Sequence, residues 1–133
     1  MIRIRKELVA RLTELARRAP EKECCGLLAG RDGAITEFFP ATNAAANPAI
    51  EYEIAPEELF RYMREIRAAG LTMLGIYHSH PNGKNEPSIR DIERSYYPDA
   101  AYFIIAPQAD APRHVRAFSI REGRITELQI EVL

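Results

Sequence analysis

Cysteine is nearly absent from this sequence: there are two, Cys24 and Cys25, side by side. Neighbouring Cα atoms lie about 3.8 Å apart, too close for an ordinary disulfide. No disulfide framework is available, and nothing points to an oxidising compartment. Long apolar runs are missing too; none approaches the roughly 18 residues a membrane-spanning helix needs. The opening stretch Met1-Ile2-Arg3-Ile4-Arg5 has no apolar segment of the kind a secretory signal carries. An excess of one charge is also lacking. Lys plus Arg number 18 and Asp plus Glu 19, a net charge of −1, so composition gives no electrostatic case for nucleic acid. Neither an internal repeat nor a low-complexity linker interrupts the chain. These absences lead to the expectation of a soluble cytoplasmic protein whose partners include no nucleic acid and no membrane.

What is present is the material of one globular domain. The 133 residues are 47% hydrophobic and 28% charged, and a chain of this length buries about two-thirds of its unfolded surface. Residues 1–133 are therefore read as a single domain. Strand and helix signals alternate. Ile2 to Ile4 is a short alternating strand, and Leu8, Leu12 and Leu15 mark an amphipathic helix over Glu7–Arg18 that Pro20 ends. Cys25 to Ala29 reads as a buried strand, Arg31-Asp32-Gly33 as a hairpin turn and Ala34 to Phe39 as the return strand. Pro40 to Pro48 is expected to be a loop and Tyr52 to Ile54 a short strand. Pro56 opens a helix carrying Leu59, Tyr62, Met63 and Ile66, which stops at Gly70. Leu71 to His78 is a strand, Pro81 to Pro87 a polar loop, Ser88 to Tyr97 a short helix and Ala101 to Ala106 a central strand. His114 to Ile120 and Ile125 to Val132 form a final hairpin about Glu122-Gly123. This order predicts an α/β or α+β fold, a mixed sheet flanked by helices.

The chemistry is concentrated in His78-Ser79-His80-Pro81, followed by Ser88-x-x-Asp91. Two residues apart on a strand, His78 and His80 present both imidazoles to one face, which suits two ligands of one metal ion. Pro81 then turns the chain away. If the loop folds back, Asp91 in the first turn of the next helix can join them. Three protein ligands leave the fourth tetrahedral position open for water, as in catalytic zinc sites. Each piece has an ordinary explanation as well. A lone histidine is commonly a surface or core residue, and Ser88-x-x-Asp91 is also a helix cap with Asp91 at its third position. The conjunction is harder to explain in that way, and Ser88 can cap the helix while offering its hydroxyl to the site. His114 has no such neighbours. A hydrolase also needs a general base; Glu23, at the mouth of the buried Cys25–Leu28 strand, is a better candidate than Glu21. Cys24 and Cys25 leave open a cysteine–histidine nucleophile, although free cysteine more often behaves as a small buried hydrophobe.

Glu23-Cys24-Cys25-Gly26-Leu27-Leu28, then His78-x-His80-Pro81, six residues and Ser88-x-x-Asp91 closely resemble the JAMM, or MPN+, metalloprotease family, and in particular its short prokaryotic members. The resemblance spans nearly the whole chain. It implies a partly barrel-like mixed β-sheet sandwiched by helices, a cytidine-deaminase-like architecture. It implies one zinc ion per chain held by His78, His80 and Asp91, with Glu23 as general acid/base and Ser88 as oxyanion stabiliser. All five positions are filled, unlike the inactive MPN branch. About nine residues separate Asp91 from the next strand, so the long second insertion with which eukaryotic deubiquitinases grip a linked ubiquitin is expected to be absent.

The activity so implied is hydrolysis of a peptide or isopeptide bond after the Gly-Gly tail of a ubiquitin-like or sulfur-carrier protein. Relatives place the tail-binding sheet edge at about Thr42 to Ile54. Competing readings are a RadC-like DNA-repair protein, whose histidine segment is similar around Asn82-Gly83 and Pro87-Ser88, a cysteine hydrolase, and a non-catalytic MPN scaffold. The absence of a basic stripe and the presence of Glu23 weigh against the first.

Overall fold

Apolar residues alternate, or run continuously, in eight short segments of this chain, and each becomes a strand of one mixed sheet. The computed structural model describes all residues from Met1 to Leu133. The elements are β1 (Ile2–Ile4), α1 (Lys6–Arg18), β2 (Cys25–Arg31), β3 (Ala34–Ala41), α2 (Pro56–Ala68), β4 (Thr72–Ser79), α3 (Ile89–Glu93), β5 (Ala101–Ile105), β6 (Val115–Arg121), β7 (Arg124–Leu128) and β8 (Ile130–Val132). The sheet order is β7-β6-β5-β4-β2-β3-β1-β8. The β1/β3, β1/β8 and β4/β5 pairs are parallel and the others antiparallel. β7 and β8 close opposite ends of that order, yet only Gln129 separates them in the chain. The sheet must therefore curl until its edges nearly meet, giving a nearly closed, barrel-like α+β fold.

Strand period sorts the apolar residues onto two faces. Leu28, Phe103 and Ile105 join Ile4, Leu8, Leu12 and Ala16 in a core under α1. Their sequence neighbours Leu27, Tyr102 and Ile104 point the other way and pack with Ile76 and Ile66 beneath α2. This explains why β5, buried at all five positions, is apolar throughout rather than alternating. Both β2–β3 and β6–β7 turn through two left-handed residues, Asp32-Gly33 and Glu122-Gly123, the type favoured in two-residue hairpins.

Four sequence expectations need correction. β3 extends through Pro40 and Ala41; β1 pairs only with its first residues, so Pro40 sits on an unshared edge where a missing N–H is tolerated. Tyr52 to Ile54 forms a single bridge, Asn43 to Ile54, because Asn43's side chain takes up the backbone groups of Glu51 and Glu53. The helix after Ser88 ends at Glu93 rather than reaching Tyr97; Ser95 Oγ donates back to the Ile92 carbonyl and the Tyr97 N–H is claimed by the Tyr102 hydroxyl. The last segment is two strands, because β7 stays with β6 while β8 crosses to β1.

Candidate metal centre

The site lies where β4 ends, β2 begins and α3 starts. His78 is the penultimate residue of β4, with Cys25 of β2 on one side and Ile104 of β5 on the other, and is fully buried. His80 follows the strand, its N–H donating to the Ile105 carbonyl, so it keeps the strand direction. The two Nε2 atoms lie 3.1 Å apart. Between them, Ser79 clamps the neighbouring strand: its hydroxyl accepts the Cys24 N–H at 2.9 Å, and its own N–H donates to the Cys24 carbonyl at 3.0 Å. That clamp brings Glu23, the residue just before, to the histidine pair.

Asp91 arrives through the cap of α3. Ser88 Oγ accepts the Asp91 N–H at 3.2 Å, and Asp91 Oδ2 accepts the Ser88 N–H at 2.9 Å, a reciprocal capping box. The carboxylate so held sits with Oδ1 3.1 Å from His78 Nε2 and Oδ2 3.1 Å from His80 Nε2. Glu23, His78 and His80 also bring one donor atom each to within 4.8 Å of one another. The imidazole pair is thus flanked by two carboxylates, Asp91 in contact and Glu23 slightly farther away. Glu21 is exposed. His114 bonds to the Ala106 carbonyl and takes no part.

The arrangement fits a cation. A carbonyl only accepts, so the 2.8 Å contact between His80 Nδ1 and the Lys84 carbonyl puts the proton on Nδ1. Neutral His80 then turns a lone pair from Nε2 toward an Asp91 oxygen, also a lone-pair donor. The two Nε2 atoms lie 3.1 Å from each other, and each lies 3.1 Å from one Asp91 oxygen, Oδ1 for His78 and Oδ2 for His80; such separations suit ligands about 2 Å from a shared ion. Glu23 Oε1 and His78 Nδ1 are buried with no hydrogen-bond partner.

The electrostatics separate the two carboxylates. Burial alone would raise Asp91, but the adjoining His78 and His80 imidazoles and the Ser88 N–H hold it far below the usual carboxylate range. Burial pushes Glu23 up to about 8, against the opposing pull of His80. Burial lowers His78. For His80 it works the same way but is outweighed by Asp91 and the Lys84 carbonyl, which leave it raised. Burial pushes the Cys25 thiol up to about 12 and raises Cys24, and neither cysteine has a histidine partner, so nothing activates a thiolate.

Several residues of the site carry no signal in the sequence. Asn43 donates to the Glu23 and Glu51 carbonyls, each at 2.9 Å, and accepts the Ala45 and Glu53 N–H groups at 3.0 and 3.2 Å. Tyr52, between those anchor points, stacks on His78 with centroids 4.4 Å apart and planes 20° apart. It also lines a cavity of about 320 Å³ with Leu27, Ile54, Leu59, Ile76 and Tyr102. Asn85, buried in the loop before Ser88, donates to the Arg113 carbonyl at 2.8 Å, and Gln108 donates to the Pro81 carbonyl at 2.6 Å. Glu51 accepts from Arg90 at 3.2 Å, tying α3 to the loop that carries Tyr52. Apart from the bonds of Asn43 to Ala45, Glu51 and Glu53, these partners are 20 or more residues apart in sequence.

A curled mixed sheet with a histidine pair at one strand end and a carboxylate on the following capped helix defines an α+β protein with a candidate metal site. The chain belongs to the prokaryotic homologs of the JAB domain, whose family model matches residues 5–121. It is 37% identical to a desampylase of Haloferax volcanii over 112 residues, 83% of this chain and 81% of the relative. It is 31% identical to the CysO-cysteine peptidase of Mycobacterium tuberculosis over 132 residues, 98% of this chain and 90% of the other. A probable TtuB-protein conjugate cleaving protease of Thermus thermophilus is 35% identical over 116 residues, 87% and 73% of the two chains. Among solved structures, a protein of Desulfitobacterium hafniense superposes with a TM-score of 0.87 at 30% identity, covering 100% of this chain and 93% of that one. A structure described as JAMM, a metalloprotease-like zinc site in the proteasome and signalosome, shares the fold with a TM-score of 0.63 at 19% identity, over 98% of both chains. No helix is long and apolar enough to cross a membrane.

Proposed function

We propose that residues 1–133 act as one JAMM/MPN+ domain, a cytoplasmic zinc-dependent peptidase or isopeptidase. Its reaction is hydrolysis of the bond after the C-terminal Gly-Gly of a ubiquitin-like or sulfur-carrier protein. The observation that carries this reading is the convergence of His78 Nε2, His80 Nε2 and the Asp91 carboxylate, with the His80 proton held on the far nitrogen. The names of three relatives, a desampylase, a CysO-cysteine peptidase and a probable TtuB-protein conjugate cleaving protease, support the substrate class.

His78, His80 and Asp91 would hold the zinc. When bound, zinc supplies a Lewis acid that polarises the scissile carbonyl and brings the pKa of a coordinated water to about 7. Glu23, buried and with one oxygen unpartnered, takes the proton of the attacking water and passes it to the leaving amine. The Ser88 hydroxyl accepts the Asp91 N–H and donates to no group of the chain, so its proton is available to the oxygen that gains charge. The tail of the acyl-side protein lies extended along the Thr42–Ile54 segment, adding a strand at this edge. Glycines at the scissile end let the carbonyl approach closely; a side chain there would hold it away.

Two measurements test this. The purified protein should carry about one zinc per chain, lost in His78→Ala and His80→Ala; unchanged zinc in both variants would sink the site. A conjugate ending in Gly-Gly should be cleaved, and replacement of its last glycine by valine should slow cleavage by roughly 10²-fold, the scale of a 1 Å misplacement. Equal rates for the two would favour general proteolysis instead.

A further inference from the structure

The two imidazoles are held in different ways. A metal-ligating histidine normally donates its remote nitrogen to a partner, which fixes both tautomer and ring plane. His80 follows that pattern through the Lys84 carbonyl at 2.8 Å. His78 does not: its Nδ1 is buried and has no partner. Beyond its Nε2 contacts with His80 and Asp91, the ring lies flat against the face of Tyr52, stacked at 4.4 Å and 20°.

Tyr52 is well placed to bear that load. The residues on either side of it are both tied to one side chain: Asn43 donates to the Glu51 carbonyl at 2.9 Å and accepts the Glu53 N–H at 3.2 Å. The same Asn43 donates to the Glu23 carbonyl at 2.9 Å, so the stacking ring and Glu23 are set from one hub. Glu51 is further pinned by Arg90 of α3 at 3.2 Å, one residue before Asp91. The Tyr52 hydroxyl makes no hydrogen bond within the chain, so the ring and not the oxygen makes the contact with His78.

Resting on the metal site proposed above, we infer that Tyr52 is a positioning residue. Its aromatic face holds the His78 ring in the ligating orientation, in place of the hydrogen bond that His78 lacks. The role needs a flat ring and is indifferent to the hydroxyl. Outer partners of metal ligands typically contribute 10–100-fold to metal affinity, and a stacking partner that replaces such a hydrogen bond falls on the same scale.

The experiment measures zinc dissociation constants by chelator competition, and visible spectra of the cobalt(II)-loaded protein, for the native chain and for Tyr52→Phe, Tyr52→Leu and His78→Ala. Tyr52→Phe should bind zinc within about twofold of native and keep the cobalt bands. Tyr52→Leu, which keeps apolar bulk but not the flat face, should bind zinc roughly 10–100-fold more weakly and shift the cobalt bands, while its metal-free form retains the native circular dichroism. Native affinity and spectrum in Tyr52→Leu would overturn the inference. So would weakened binding in Tyr52→Phe, which stays decisive even if the leucine variant fails to fold. The His78→Ala arm isolates the underlying site: unchanged zinc there means His78 is no ligand, a failure of the metal reading rather than of Tyr52 alone.

Discussion

Glu23 and Asp91 are carboxylates beside the same imidazole pair, yet their surroundings suit them to opposite tasks. Asp91 lies against both imidazoles and accepts the Ser88 N–H, so it stays ionised, as a ligand must. Glu23 is buried with one oxygen unpartnered and is pushed up to about 8, so it exchanges a proton readily near neutrality. Substitution should separate the two. Glu23→Gln keeps the volume and the fold, and is expected to retain zinc while hydrolysis falls by about 10²–10⁴-fold. Zinc analysis beside turnover checks this; near-normal turnover would shift the role away from Glu23, and loss of zinc would make it a ligand. The cysteines offer a second residue-scale test. Cys25 is buried and pushed up to about 12, so little thiolate exists at neutral pH. Treating the folded protein with iodoacetamide should leave hydrolysis intact, whereas a zinc chelator should abolish it. The reverse pattern would restore the cysteine-hydrolase reading.

Two elements place these side chains, and each was partly visible in the sequence. The period of β4 put His78 and His80 on one face, and the Ser88-x-x-Asp91 spacing announced the cap of α3; both are local patterns, and both appear as bonded geometry. Gly26 was legible only through resemblance. Its reason is packing: a Cβ there would run into the Phe39 carbonyl and the Tyr77 ring, neither of them near in sequence. Gly26→Ala should therefore destabilise β2 by about 1–3 kcal/mol, the usual cost of overpacking, readable as a lower denaturation midpoint. A variant as stable as native would mean that β2 and β3 can part without cost. Ser88→Ala removes a cap worth about 0.5–2 kcal/mol. It also removes the proposed oxyanion donor, for which losses of about 10²–10³ in kcat are typical. If kcat drops by that much while zinc stays bound, the hydroxyl does more than hold Asp91. If kcat is unchanged, its role ends at the cap.

At the scale of the molecule, the sequence showed the layers but not the closure. The α1 and α2 periodicities and the apolar β5 run predicted helices against a buried sheet, and that is the arrangement found. The passage of the chain from β7 to β8 through Gln129 alone was invisible. Residues 125–132 read as one hairpin arm, because a strand that changes partners keeps the same composition. Asn43, Tyr52 and Asn85 were missed for a related reason: what they do depends on partners far away in the chain. Closure has a consequence for the metal. Two apolar cores, one under α1 and one under α2, hold the sheet, and each fully buried Leu, Ile or Phe contributes about 1.5–3 kcal/mol. The metal-free chain should then remain folded, unlike small zinc domains that unfold without their ion. Zinc would add stability only by binding the folded form. At a free concentration 1,000 times its dissociation constant it contributes about 4 kcal/mol, roughly 10–20 °C in melting temperature for a chain of this size. Removing it with a chelator should lower the melting temperature by about that much while leaving a cooperative transition and the near-ultraviolet circular dichroism of packed tyrosines. Restoring zinc should return both stability and hydrolysis. A chelated chain that loses the near-ultraviolet signal would show instead that the barrel is held shut through its metal ligands, and that the two cores do not suffice.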